Sequence, residues 1–245
     1  MTPALALRAV RVRAGRSVLL DGLDLDVPAR GLFGIVGPNG AGKSTLAQAA
    51  VGLLPLAGGE ASVLGRPLAA WSRRALAQRI GYVPQHVLSH WDLTVAELLQ
   101  LGMAPVPPAL LAACELEAVL ARRFGSLSGG EQARAAIARA LAHAPALLVA
   151  DEPAAHLDLP HQHRLMRLLK DRARGGAIVI VLHDLHLAHR YCDQVAVLAR
   201  GRLVACGAPS DVLTSTALTD AYGDAVHRVE RAGGAFFTVD RPTHD

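Results

Sequence analysis

Three short clusters have residue types and spacing that suit phosphate chemistry. Gly37, Pro38, Asn39, Gly40, Ala41, Gly42, Lys43 and Ser44 fit the pattern GxxxxGK[ST]. Glycines at those places let the backbone wrap a phosphate with its N–H groups inward, and a helix opening behind the loop adds its dipole. Lys43 supplies a point charge for β and γ phosphates, and Ser44 a hydroxyl for Mg²⁺. The competing reading is a glycine-rich turn with an exposed lysine. Leu147 to Ala150 is an apolar run that ends in Asp151 and Glu152. Behind a phosphate loop, Asp151 suits a second Mg²⁺ contact through water, and Glu152 suits the group that orients or deprotonates an attacking water. Alone, the pair would be an ordinary acidic turn. In Leu127 to Gln132, Ser128 and Glu131 have the spacing of a capping box before an alanine-rich helix. Gly129 and Gly130 weaken a first turn, yet they suit a phosphate that approaches bare N–H groups. The chain thus has two phosphate-binding helix starts, one more than a single nucleotide needs.

The surrounding pattern supplies elements to hold these residues. Residues 5–12 and 18–27 alternate as strands, with Leu23, Leu25 and Val27 on one face. Short apolar runs at 31–36, 79–84, 147–150 and 177–182 read as buried strands. Helices are expected over 45–54, 160–173 and 185–191, and a mainly helical stretch over 85–144 breaks at Pro105 to Pro108. Hairpins are expected at 195–206, turning at Arg200-Gly201, and at 226–239. Buried strands separated by helices imply a parallel sheet with crossovers, and ligands sit at the carboxyl ends of such strands.

Composition narrows the class. With 245 residues and 51% hydrophobic residues, the chain can bury a core without disulfides, and disorder is excluded. A formal net charge of +4 does not argue for nucleic-acid binding. The basic residues are 23 Arg and two Lys, Lys43 and Lys170. In so lysine-poor a chain, a lysine in the phosphate loop points to a required ammonium. Three cysteines without a CxxC pair suggest a reducing compartment. No apolar stretch reaches the roughly 18–20 residues of a membrane span, and residues 1–12 lack a signal-peptide core. A membrane link is therefore expected through a partner.

In this order, Gly37 to Ser44, Leu127 to Gln132 and Leu147 to Glu152 resemble the nucleotide-binding domain of an ABC (ATP-binding-cassette) ATPase over nearly the whole chain. The resemblance implies an α/β fold. It comprises a P-loop NTPase (RecA-like) core with a mostly parallel sheet, an N-terminal antiparallel β-subdomain and an inserted α-helical subdomain. As a single domain over 1–245, the core would occupy 1–84 and 145–220, the helical and signature subdomain 85–144, and a tail 221–245. The resemblance further implies Gln85 as the Q-loop glutamine that senses Mg²⁺ and the membrane partner, Asp158 in the D-loop, and His183 as the switch histidine at the γ-phosphate. Catalytic roles fall to Glu152, His183, Gln85 and Asp158. ATP would be held by residues 37–44 with Thr45 and, from a second copy, by Ser128, Gly129, Gly130 and Glu131. Ser44, Gln85 and Asp151 would hold Mg²⁺.

Finer stretches resemble the metal-chelate importer group, which serves iron–siderophores, heme and cobalamin. They are 68–77, 94–102, 157–163, 207–214 and 221–223. A zinc or manganese importer would look similar, and a soluble non-transport ATPase is a further alternative. The implied partners are a second copy paired head to tail, integral-membrane permease subunits and a substrate-binding protein, with no nucleic acid. The implied location is the cytoplasmic face of the inner (plasma) membrane, peripheral through the permease. Two positions depart from the family. Its usual adenine-stacking aromatic is replaced at Ala14, amid Arg11, Arg13 and Arg16, which either stack in its place or are exposed edge-strand charges. The stretch from Gln85 to Leu127 is also shorter than the group's usual helical subdomain. His186 and His189 follow His183 at spacings of three, which swings the third away from the first, and His161 and His163 lie close together; neither group is read as a metal site, and only His183 is read as catalytic. Trp71 and Trp91 are assigned to packing or a partner interface, and Cys114 to an inert core position.

Overall fold

The computed structural model describes residues 2–85, 92–102, 104–223, 226–231 and 234–239, so Trp91 lies outside the described residues. The chain begins with β1 (Leu5–Ala14), β2 (Ser17–Val27), β3 (Gly31–Val36), α1 (Lys43–Ala50), β4 (Gly58–Val63) and β5 (Arg66–Pro67). It continues through α2 (Arg73–Ala77), β6 (Ile80–Val83), α3 (Val95–Gln100), α4 (Pro108–Ala113), α5 (Gly129–Leu141), β7 (Leu147–Asp151) and α6 (Leu159–Arg172). It closes with β8 (Ala177–Val181), α7 (Leu185–Tyr191), β9 (Gln194–Ala199), β10 (Arg202–Gly207), α8 (Pro209–Val212), α9 (Ser215–Tyr222), β11 (Val226–Arg231) and β12 (Gly234–Val239).

The central sheet has the order β10-β9-β3-β8-β7-β6. All neighbours are parallel except the β9–β10 hairpin. Its strands are apolar on both faces because each face meets a different core. Leu32, Leu148, Ile178, Ile180, Val195 and Val197 pack toward α3–α6. Their alternates Phe33, Ile35, Val149, Val179, Val181 and Leu198 pack toward α1 and a second, antiparallel sheet. That sheet has the order β2-β1-β4-β5, and Leu23, Leu25 and Val27 of β2 all enter its core as their alternation predicts. β11 and β12 form the expected terminal hairpin.

Two expectations need correction, and one strand had no expectation. The described part of the 85–144 stretch is less helical than its pattern: α4 and α5 are separated by 3₁₀ turns at Glu117–Val119 and Phe124–Ser126. Pro107 and Pro108 open α4 at its first turn, where a missing N–H costs nothing. The first helix starts at Lys43, two residues before the expected Thr45, because the Gly42 carbonyl already accepts from Leu46 N at 2.8 Å. β4 has no strand signature in Gly58-Gly59-Glu60. It forms because the edge of β1 offers a ladder from Leu5↔Val63 to Arg8↔Glu60.

Candidate functional site

The loop between β3 and α1 is shaped by backbone constraints. Gly37 has φ +150°, and a Cβ there would lie 2.1 Å from the Leu198 carbonyl oxygen of β9, so no side chain fits. Gly42, at φ +97°, is the N-cap of α1. It has no side-chain cap, and no acidic residue occupies the first turn. The helix's first N–H donors are therefore left to whatever enters the loop. The Lys43 ammonium is buried and donates to the carbonyl oxygens of Gly37 at 2.8 Å and Pro38 at 2.9 Å. That leaves one of its three protons for an anion. Burial pulls its pKa down, and the carboxylates of Glu152 and Asp151 push it back up.

Ser44 follows in the first turn, and its hydroxyl donates to Asp151 Oδ1 at 3.1 Å. Asp151 ends β7 and is only 1% exposed. Burial raises its carboxyl pKa, against the Ser44 hydrogen bond that lowers it. Glu152 steps out of the strand at φ +51°, a left-handed conformation that costs a non-glycine residue roughly 1–2 kcal/mol. The turn brings its carboxylate between two partners from other strand ends. Gln85 Nε2 donates to Oε2 at 2.8 Å, and His183 Nε2 lies 2.5 Å from Oε1. A cavity of about 520 Å³ opens over these groups, lined by Asn39 to Thr45, Gln85, Glu152 and His183. Backbone donors and an ammonium on one wall, with a held carboxylate opposite, can bind a polyphosphate and orient a nucleophile toward it.

Not every expected residue is here. Ser128, Gly129, Gly130 and Glu131 open α5, outside the lining of this cavity. The capping box is complete: Ser128 Oγ accepts from Glu131 N at 3.3 Å, and Glu131 Oε2 accepts from Ser128 N at 2.8 Å. A Cβ at Gly129 would lie 3.1 Å from the His156 Cβ, so this helix start is seated against the Ala155–Asp158 turn of its own chain. Asp158 is the N-cap of α6 and accepts from His161 N at 3.1 Å. Ala14 is exposed at the end of β1. Arg11 is turned onto the sheet, with Nε 3.5 Å from Asp21 Oδ1. His186 and His189 pack edge-on against Phe237 of the terminal hairpin. Trp71 donates Nε1 to Arg66 O at 3.3 Å under that arginine's guanidinium.

The cavity also contains residues that the sequence reading left out. Val18 and Leu19 of β2, with Arg200 and Gly201 of the β9–β10 turn, complete its wall. They meet because Gly201 N donates to Ala41 O at 3.0 Å and Asp21 N to Gly201 O at 3.0 Å. The turn signal at Arg200-Gly201 was visible, and its position against the loop was not. Arg200 is another left-handed non-glycine residue, at φ +50°.

Comparison with known proteins places this geometry. The family profile described as ABC transporter matches residues 20–155. The hemin import ATP-binding protein HmuV of Thermobifida fusca is 42% identical over 241 residues, 93% of this chain and 85% of the relative. The cobalamin import ATP-binding protein BtuD of Halobacterium salinarum is 38% identical over 218 residues, 83% of this chain and 55% of the relative. Among solved structures, a dimeric ATP-binding cassette in a post-hydrolysis state with ADP and Pi superposes with a TM-score of 0.74 at 26% identity. The match covers 84% of this chain and 98% of that one.

Proposed function

The chain belongs to the ABC transporter family, and we propose that it hydrolyses ATP to drive an importer of a metal chelate such as heme, an iron–siderophore or cobalamin through a separate permease. The observation that carries this reading is the 42% identity to a hemin import ATP-binding protein along 85% of that relative. Among the described residues no helix is long and apolar enough to cross a membrane, which accords with a permease on other chains. The partners proposed are permease subunits, a substrate-binding protein and a second copy of this chain, with the protein on the cytoplasmic side of the membrane.

The loop N–H groups and Lys43 would hold the β and γ phosphates of ATP. Ser44, Asp151 and the side-chain oxygen of Gln85 are the hard oxygen donors that suit Mg²⁺, and Asp151 is buried against the Ser44 hydroxyl where such a charge would be needed. Bound there, Mg²⁺ would supply the positive charge that offsets charge developing on the phosphates. Glu152 is the proposed base for the attacking water. Gln85 and His183 hold its two oxygens and so fix its direction, and His183 is the proposed contact to the γ-phosphate. Asp158 is proposed to act at the D-loop. Ser128, Gly129 and Gly130 of a second copy, with Glu131 behind them, would close the other side of the nucleotide, since in their own chain they lie outside the cavity.

The test is uptake into vesicles by the chain reconstituted with its permease. ATP-driven accumulation of heme, a ferric siderophore or cobalamin is expected. Hydrolysis without uptake of any of the three, or uptake of free zinc or manganese instead, would overturn the substrate class.

A further inference from the structure

Glu115 is one of six left-handed non-glycine residues among the described residues, with Ala9, Leu64, Ala144, Glu152 and Arg200. It follows the last turn of α4 at φ +53°, the left-handed position where glycine is the natural residue. Glu115 N donates to Ala112 O at 2.9 Å and Leu116 N to Leu111 O at 3.0 Å, so the position is a helix-terminating turn that a glycine would make without strain. A strained residue that keeps a charged side chain points to a use for that side chain.

The carboxylate reaches the α6 end of the D-loop turn. One oxygen pairs with Arg164, and the other lies 3.2 Å from His161 Nε2. The second nitrogen of His161, Nδ1, is against Asp158 Oδ1. The imidazole is thus bracketed by a carboxylate from the helical layer and one from the D-loop, each facing one of its two ring nitrogens. The helical-layer end is itself tied to the signature helix, because Arg134 of α5 donates Nε to Cys114 O at 2.9 Å. A continuous polar chain therefore runs from α5 through Cys114-Glu115 and His161 to Asp158. Desolvation raises the Glu115 pKa, but the hydrogen bond and charge of Arg164 with nearby cations leave it below its ordinary value, and hydrogen bonds from His161 lower that of Asp158.

We propose that Glu115 and His161 are positioning residues for the ATPase reaction, a latch that makes the D-loop and the signature helix move as one body. The proposal rests on the reading of Asp158 as a working D-loop residue. Both segments would face the second copy, so their registration sets whether that copy's nucleotide is enclosed correctly. Neither Glu115 nor His161 touches nucleotide in this scheme. Their effect falls on turnover and leaves nucleotide affinity alone.

Glu115→Gly separates this role from a purely structural one. It removes the carboxylate and relieves the backbone strain together. The expected result in the full-length protein is a thermal midpoint equal to or above wild type, an unchanged KM for ATP, and a kcat lower by about three- to fivefold, the scale of one exposed ion-pair system. His161→Ala should lower kcat similarly, and the double variant should lose no more than either single variant. Wild-type kcat in Glu115→Gly, additive losses in the double variant, or a kcat loss that only tracks a lower midpoint would each overturn the latch. Asp158→Asn keeps the helix cap and tests the underlying reading. Wild-type turnover in Asp158→Asn would remove the D-loop role itself. Reduced turnover there with wild-type Glu115→Gly would remove the latch alone.

Discussion

The N-termini of α1 and α5 are both suited to phosphate, but they are finished in opposite ways. α1 begins with a left-handed glycine, has no capping side chain and no acid in its first turn. Its polar neighbours, Lys43 and Asp151, are buried. α5 is fully capped by its own residues, with Ser128 and Glu131 exchanging hydrogen bonds and Arg122 pairing with Glu131 at 3.0 Å. The first end is left chemically open within one chain. The second is stable by itself and offers only the N–H groups of Gly129 and Gly130. The contrast is what the proposed division of labour requires, with α1 holding nucleotide in its own chain and α5 acting on one held by a second copy.

Substitutions can break or sharpen that contrast. The largest effect is expected from Glu152→Gln, which removes the proposed base at the α1 site. Phosphate release should fall by about 10²–10⁴-fold while ATP binding persists and the dimer accumulates in gel filtration. Normal turnover would dismiss Glu152 from that role. Next, Lys43→Ala should weaken ATP binding by roughly 1.5–3 kcal/mol, the range for a charged hydrogen bond, as read in a fluorescent-nucleotide titration. Ser128→Ala should leave that titration unchanged. It should cost about 1 kcal/mol of stability through the lost cap and reduce ATP-induced dimerisation. A weakened monomer affinity would erase the distinction between the two ends.

The smallest effect is in the acid range, where the two sites should have opposite signs. Hydrogen bonds from Ser128 and charge from Arg122 depress Glu131 below its ordinary 4.5. Its contribution is present above that value and lost as pH falls through the depressed one. Asp151 is raised above its ordinary 3.8 by burial, so the fold gains stability from it as pH falls through the raised value. In thermal melts, Glu131→Gln should flatten the acid loss, and Asp151→Asn should steepen it. The same sign of change in both variants would contradict the assignment.

Local sequence made the α1 site readable because loop, helix start and strand-end carboxylates all lie within short windows. The β9–β10 turn and the α7 helix were readable for the same reason. The wall formed by Val18, Leu19 and Arg200 was not, because it depends on β2 and β10 meeting the loop across long separations. β4 was hidden for a related reason: its glycines carry no strand signal, and only the edge of β1 creates one. The Glu115 turn gave no cue either, since a left-handed glutamate is invisible until the backbone is seen.

The alternation of the central strands has one more consequence, which concerns inheritance. Ile178 and Ile180 belong to the core beneath α3–α6, while Val179 and Val181 between them belong to the core around α1. A lineage can therefore drift in volume on one side of the sheet while the other side keeps its packing.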